Sequence, residues 1–101
     1  MTDLELTSVL AERVLSWRGR GDRFIKPGRS WIPRWRFQPL ANLGDAFVLL
    51  DRAGAQFSLT FDTNAEFMAI VQIAGTQGQA TGTAKARAIT MAVARALGLE
   101  P

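Results

Sequence analysis

Seven basic residues lie within nineteen positions of the first half of the chain, from Arg18 to Arg36, and Asp22 is the only acidic residue among them. Seven cations and one anion give this basic segment a net charge of +6, whereas the other five basic and eight acidic residues give the rest of the chain −3. Crowded like charges repel each other and lower stability unless a partner offsets them. The pattern therefore predicts a surface that binds an anion.

Tryptophans alternate with arginines in the second half of the basic segment. Guanidinium groups bind phosphate or carboxylate through paired hydrogen bonds, and indole rings stack on nucleobases, so the combination suits a nucleotide or a single-stranded nucleic acid. The candidate ligand-binding residues here are Arg29, Trp31, Arg34, Trp35 and Arg36. We expect alanine at both Arg34 and Arg36 to weaken binding and to leave the fold intact.

The aromatic residues of this segment have a second interpretation. Trp31, Ile32, Trp35 and Phe37 could instead point into the core and leave the arginines as a solvated face. For the tryptophans the sequence does not choose between the two interpretations. For the charge cluster, binding is the favoured one, because a purely structural role does not explain seven neighbouring cations.

A weaker anion-binding pattern opens the last predicted helix, at Gly82-Thr83-Ala84-Lys85-Ala86-Arg87. Free backbone N–H groups at a helix start attract anions, and Thr83, Lys85 and Arg87 would add a hydroxyl and two cations. The order of residues is not that of a phosphate-binding Walker loop. An ordinary helix start is the favoured interpretation of this motif.

Side chains for catalysis are scarce in this chain. The sequence contains no cysteine, histidine or tyrosine, which excludes disulfides, thiolate zinc sites and an imidazole proton shuttle. The carboxylates Asp45, Asp51 and Asp62 are explained by a helix start, a helix end and a turn, so that no catalytic pair remains. We expect a protein that is not an enzyme and that uses no metal and no cofactor.

Length and composition indicate one globular domain, residues 1–101. The chain is 48% hydrophobic and 21% charged, which is ordinary for a folded domain. The N-terminus lacks a signal-peptide pattern, and no apolar run approaches the ~20 residues that span a bilayer. We therefore expect a cytoplasmic protein without a membrane partner. A chain of this size has little room for a deep pocket, which a homo-oligomer would help to build.

The first helix is predicted over residues 3–17. Thr2 and Glu5 have the spacing of a capping box, and apolar residues recur after them at helical intervals. Gly19 and Gly21 are expected to end this helix.

The stretch that follows, residues 18–40, contains three prolines and three glycines and is predicted as a long loop. Short extended pieces are expected around Trp31 and over residues 35–37. They would lie at the edge of a sheet, because Pro33 has no N–H to donate to a neighbouring strand.

A second helix is predicted between Asn42, a good N-cap residue, and Gly54, which would end it. Asp45 would lie at its third position, near the positive end of the helix dipole. Its apolar face is traced by Leu43, Ala46, Phe47 and Leu50.

The second half of the chain predicts an antiparallel hairpin of residues 56–61 and 67–73, since the first run alternates and the second is apolar. A brief strand at 79–81 follows, and then a helix at 84–97 whose N-cap would be Thr83. The fold class is α+β, with an antiparallel sheet packed with an N-terminal, a middle and a C-terminal helix.

The order of these features resembles a known family. A first helix ending in Trp17 is followed by the stretch from Pro39 to Phe47, with its Asp-Ala-aromatic helix start, and by the alanine-rich run from Ala80 to Ile89. Together they resemble the small phage ABA-sandwich proteins and their NinX-like relatives, although the basic segment departs from the acidic or neutral versions of that region. The resemblance implies a phage or prophage accessory protein with no assigned enzyme activity.

Such phage proteins include counter-defence factors, and this resemblance, together with the basic segment and its tryptophans, leads to three hypotheses for this chain. The first, which the sequence favours, is sequestration of a nucleotide-like immune signal of the host. The second is an anti-CRISPR-type inhibitor that binds a host defence protein through its basic, aromatic surface. The third is direct binding of nucleic acid, which would weaken steeply as salt is raised.

Overall fold

A computed structural model describes residues 1–100 and shows three α-helices and two antiparallel sheets of three strands each. In chain order the elements are α1 (Asp3–Leu15), β1 (Arg18–Arg20), β2 (Arg23–Ile25), β3 (Trp31–Pro33), a 3-10 helix (Arg34–Arg36), α2 (Leu43–Arg52), β4 (Gln56–Phe61), β5 (Phe67–Ile73), β6 (Thr76–Gly82) and α3 (Lys85–Ala96). The predicted α+β class and its three helices are confirmed. The sheets number two where one was expected.

Helix α1 begins as predicted and ends two residues early. The Thr2 hydroxyl accepts a hydrogen bond from the Glu5 N–H at 3.1 Å. At the other end Ser16 adopts a left-handed conformation (φ 59°), and the N–H groups of Ser16 and Trp17 donate to the carbonyl of Ala11. The helix therefore stops before either of the glycines that were expected to end it.

The predicted long loop of residues 18–40 is wrong over much of its length, because the basic segment folds into the first sheet. β1 pairs with β2, and β2 pairs with β3, all antiparallel. Gly21 (φ +56°) and Gly28 (φ +86°) lie in the two turns, where a positive φ is needed. The edge position expected for Trp31 and Pro33 is confirmed, whereas Trp35 lies in the 3-10 helix.

The second sheet matches the predicted hairpin in bounds and direction. β4 and β5 pair from Gln56 opposite Gln72 to Phe61 opposite Phe67. The turn between them is fixed by Asp62, whose carboxylate accepts hydrogen bonds from the N–H groups of Asn64 and Glu66. Strand β6 is longer than predicted.

The extra length of β6 depends on close packing against α3. A side chain at Gly78 would collide with the carbonyl oxygen of Ala92 and the amide nitrogen of Ala96. Glycine, a poor strand former on its own, therefore lets the backbones of strand and helix approach each other. Propensity alone could not predict the full length of this strand.

The caps and buried faces of the two later helices are partly as predicted. Asn42 caps α2 by accepting from the Asp45 N–H at 3.0 Å, but Leu43 and Phe47 are exposed and Leu49 is buried in their place. Helix α3 starts after Ala84 with no side-chain cap, so the expected capping role of Thr83 is wrong.

The three helices connect the two sheets through successive packing contacts. The second sheet packs on α3, α3 on α2, α2 on α1, and α1 on β1. The buried Thr90 of α3 donates to the carbonyl of Pro39 at 2.7 Å, which ties α3 to the segment before α2. Over residues 1–100, no helix is long and apolar enough to cross a membrane.

Candidate functional site: the arginine face and the adjoining cleft

The exposed side of the first sheet collects arginines from two strands. Arg20 lies opposite Arg23, while Arg18 and Trp31 both lie opposite Ile25. Directly opposite residues in an antiparallel pair point to the same side of the sheet, so these side chains share one face. We call Arg18, Arg20, Arg23 and Trp31 the arginine face.

The other side of the same sheet packs on the protein interior. Phe24 is buried, Ile32 is half-buried, and Gly19 lies opposite Phe24. Phe24 also contacts Trp17 and Phe37, with ring centroids 5.9 and 6.1 Å away. The alternation along the strands thus separates apolar from cationic side chains, and burial of Phe24 holds the arginines outward.

The arginine face has little internal compensation for its charge. The Arg23 guanidinium stacks 4.3 Å from the centroid of the Trp31 ring. Its one carboxylate neighbour within the described residues 1–100, Asp22, is 93% exposed and lies 3.7 Å from the Arg23 Nε, a contact that solvent weakens. Arg20 stands directly opposite Arg23, and facing like charges are destabilising. Such a face is suited to an anion from outside.

The structure divides the aromatic residues between the two interpretations left open by the sequence. Trp31 and Trp35 are 51% and 70% exposed, whereas Phe37 is buried against Trp17 at 5.0 Å and Ile32 is half-buried. Both tryptophans are thus accessible to a ligand.

Arg34 has an internal role that its place in the basic segment did not indicate. Its Nε donates to the Gly21 carbonyl at 2.6 Å, and its Nη1 donates to the Ser8 hydroxyl at 2.7 Å. The guanidinium also lies 4.7 Å from the Phe24 ring centroid and packs over Gly19. Arg34 therefore fastens the β1–β2 turn to α1.

A cleft of about 780 Å³ opens beside Arg34. Its walls come from the start of α1, the β1–β2 turn and β2, the 3-10 helix and the segment after it, and the first turn of α3. They include Leu4, Phe24, Trp35, Leu40 and Arg87. The cleft brings together Arg34, Trp35 and Arg87 of the predicted site. The sequence could not show it, because its walls are far apart in the chain.

Arg87 is engaged by an ion pair at the rim of this cleft. Its guanidinium donates to both carboxylate oxygens of Asp3, at 2.8 and 3.2 Å. These hydrogen bonds hold the pKa of Asp3 below its usual range and raise the pKa of Arg87. An incoming phosphate would have to displace Asp3, so the cleft is less ready for an anion than the arginine face.

The remaining predicted site residues do not converge. Arg36 is exposed, 6.0 Å from the Trp35 ring centroid, and Lys85 lies 5.3 Å from the Phe67 ring centroid. Arg29 and Thr83 are exposed and do not line the cleft. Among residues 1–100, no group of three or more acidic side chains could hold a metal ion.

Three arginines that were not among the candidate residues predicted from the sequence form most of the arginine face. Arg18, Arg20 and Arg23 belong to the basic segment, but the predicted loop gave them no common face. The signal that could have found them is the alternation Arg-Gly-Arg before a Gly-Asp turn and Arg after it, which is the pattern of a hairpin with one cationic side.

The similarity of this chain to known proteins comes from solved structures. No family model matches the chain, and a search of curated proteins finds no match. The chain is similar to a phage protein from Bacillus cereus ATCC 14579, known from a 2.0 Å crystal structure, with a TM-score of 0.80 at 15% identity. The alignment covers 100% of this chain and 92% of that chain. The two proteins share a fold. Membership in the NinX-like family stays a prediction.

Proposed function

We propose that this protein is a phage accessory protein that acts by binding a single strand of nucleic acid on the arginine face, without catalysis. The observation that carries the proposal is the grouping of Arg18, Arg20 and Arg23 with Trp31 on one exposed side of a sheet. Cations that follow a phosphate backbone, next to an aromatic ring on which a base can stack, are the usual means of binding single strands.

A polymer suits this surface better than a single nucleotide does. The arginine face is one side of a small sheet, and its cations come from two neighbouring strands, Arg18 and Arg20 from β1 and Arg23 from β2. Extended ligands contact such a surface at several phosphates in turn, and each contact releases counterions. For this reason we propose nucleic acid in preference to the sequestered nucleotide that the sequence favoured.

The phage setting is supported by the structural likeness and by the resemblance in sequence. The similar crystal structure is of a phage protein, and the likeness extends over the whole of this chain. We include a counter-defence role in the proposal, in which the protein covers a strand that a host defence system would otherwise bind.

A second candidate function is nucleotide binding in the cleft. Its volume of about 780 Å³ falls within the range of roughly 300–1,000 Å³ that is usual for small-ligand sites. Trp35 could stack on a base there, and Arg87 could meet a phosphate after releasing Asp3. Because Arg87 must first release Asp3, nucleotide binding in the cleft is the less favoured candidate.

The experiment that tests the first candidate is fluorescence anisotropy with a labelled single-stranded oligonucleotide over a range of salt concentrations. We expect binding that weakens as salt is raised, and Arg20→Gln and Arg23→Gln should each reduce the log–log salt slope by about 0.7. Arg52→Gln, which removes an exposed cation of α2, is the matched control and should leave the slope unchanged. If the wild-type protein does not bind the oligonucleotide at low salt, the proposal is wrong.

The same variants separate the second candidate. Calorimetric titration with mononucleotides should respond to Trp35→Ala and Arg87→Gln, and not to Arg20→Gln, if the cleft is the site. A pull-down from nuclease-treated host lysate tests the inhibitor hypothesis. That hypothesis would be supported if the wild type recovers a host protein in stoichiometric amount and Arg20→Gln does not.

A further inference from the structure

Strand β4 is an edge strand without the usual protection. Among residues 1–100 it pairs with β5 on one side only, so its other side offers unpaired N–H and C=O groups. Natural edges are commonly blocked by charges, prolines or bulges. Residues 56–61 contain no charge and no proline, and their pairing with β5 runs without a bulge. In the other edge strand, β6, the side chain of Arg95 donates a hydrogen bond to the carbonyl of Gln79 at 2.6 Å. Strand β4 has no comparable charged side chain among its own residues.

An exposed aromatic cluster accompanies this open edge. On the face of the second sheet that α3 covers at β5 and β6, Phe57 and Phe61 of β4 remain 45% and 63% exposed. Phe47 of α2, itself 41% exposed, lies 5.8 Å from the Phe57 ring, and Phe67 lies 4.8 Å from Phe61. Grouped apolar side chains of this kind indicate a contact surface.

We propose that two copies of this chain pair through β4, antiparallel about a two-fold axis at Leu59. The stretch Phe57-Ser-Leu-Thr-Phe61 has the same residue classes in both directions. Centred on Leu59, the pair sets Phe57 against the partner's Phe61, Ser58 against the partner's Thr60, and Leu59 against the partner's Leu59.

The symmetry of this stretch favours a second copy of the chain as the partner at the β4 edge. A two-fold contact requires one surface to be complementary to itself, and an unrelated peptide requires no such palindrome. Opposite residues in an antiparallel pair share a face, so all four phenylalanines would lie on the side that carries the helices. Aromatic pairs and Ser–Thr pairs are favourable across strands, and the uncharged edge brings no like charges together.

The joined sheet would have six strands, in the order β6-β5-β4-β4-β5-β6, and would cover the open edge of both copies. This inference does not rest on the proposed function, because the arginine face belongs to the other sheet. Loss of pairing and loss of nucleic-acid binding are therefore separable by mutation.

Analytical ultracentrifugation over a range of concentrations tests the pairing. We expect the wild type to sediment as a dimer that dissociates on dilution, and Phe61→Lys to raise the dimer dissociation constant at least about tenfold, because it places an unpaired charge in the contact. Trp35→Lys, which removes an exposed aromatic elsewhere, is the control and should remain dimeric. A monomeric wild type, or a Phe61→Lys variant as dimeric as the wild type, overturns the proposal.

A single introduced cysteine tests the position of the axis, since the chain has no cysteine of its own. Leu59→Cys should form a disulfide-linked dimer on oxidation, because directly opposite Cα atoms lie within bridging distance. Ser58→Cys should link poorly, because its two copies would be diagonal neighbours roughly 7–8 Å apart. Efficient linking at position 58 and none at 59 contradicts the proposed register. Circular dichroism of each variant verifies that it is folded.

Discussion

Arg34 and Arg36 lie two positions apart in the basic segment and have different surroundings. Arg34 donates to Gly21 and Ser8 and stacks on Phe24, whereas Arg36 is exposed and its aromatic neighbour is a ring that is itself exposed. Charge alone did not distinguish them. From the sequence we expected alanine at both positions to leave the fold intact. We now keep that expectation for Arg36 only.

We predict that Arg34→Ala lowers the free energy of unfolding by about 1–3 kcal/mol, because it removes charge-assisted hydrogen bonds that fasten the β1–β2 turn to α1. Arg36→Ala should change it by no more than about 0.5 kcal/mol, as is usual for exposed positions. Chemical denaturation of both variants measures the difference. Equal losses in the two would show that the contacts of Arg34 contribute little.

The ion pair between Asp3 and Arg87 links the first and last helices and gives stability a pH dependence. Because the Arg87 hydrogen bond depresses the pKa of folded Asp3, its stabilisation is present above the ordinary Asp pKa and is lost as pH falls through the depressed value. Both side chains are about half exposed, so solvent screening limits the effect.

We predict that Asp3→Asn lowers the free energy of unfolding by about 0.2–1 kcal/mol at neutral pH, and that the difference from wild type fades below about pH 4. Thermal melts at several pH values measure it. Glu12→Gln, at an exposed position of the same helix, is the control and should show a smaller change. A difference that persists unchanged in acid would mean that the ion pair is not its source.

At the scale of elements, the contact of β6 with α3 depends on residues without bulk. Gly78 faces the backbone of α3, and the buried side of that helix includes Ala88, Ala92 and Ala96. Small residues let strand and helix lie close together, which brings backbone atoms into contact where larger side chains would hold them apart. The long β6 strand is a consequence of this fit.

We predict that Gly78→Ala lowers the free energy of unfolding by about 1–3 kcal/mol, since the added methyl group would force α3 away from the sheet. Gly82→Ala is the matched control in the same strand, because a Cβ there meets no atom within 4 Å. Urea denaturation compares the two. Equal stability of both variants would show that α3 shifts at little cost.

At the scale of the whole molecule, the two sheets differ in how completely their strands are paired and buried. β5 pairs on both sides and is covered by α3, with Ala69 and Val71 fully buried. β1 has three exposed residues and, in the part of the chain that the structure describes, pairs on one side only. Local stability follows burial and pairing, so the second sheet should be the stable centre of the fold.

We predict that hydrogen exchange is slowest at the amides of β5 and faster by orders of magnitude at those of β1. Exchange followed by NMR measures each amide separately. Nucleic acid bound to the arginine face should slow exchange in the first sheet and leave β5 unchanged. Equal protection of both sheets in the free protein would contradict this difference in stability.

Local patterns were sufficient to predict much of the fold. The alternation of residues 56–61, the apolar run at 67–73 and the Asn42 cap predicted β4, β5 and the start of α2, because strand period and capping chemistry act over a few residues. The exposed Phe47 and the early end of α1 at Ser16 were not predictable in this way, since each depends on what packs nearby.

The sequence by itself determined that the protein has a concentrated positive charge, no thiol or imidazole chemistry, and an α+β order of elements. Tertiary structure decided which cations are available: strand pairing put Arg18, Arg20 and Arg23 on one exposed face, while Arg34 and Arg87 were taken up by contacts with α1. Charge and period are properties of neighbouring residues, but a common face depends on which distant segments pair, and no local pattern specifies that.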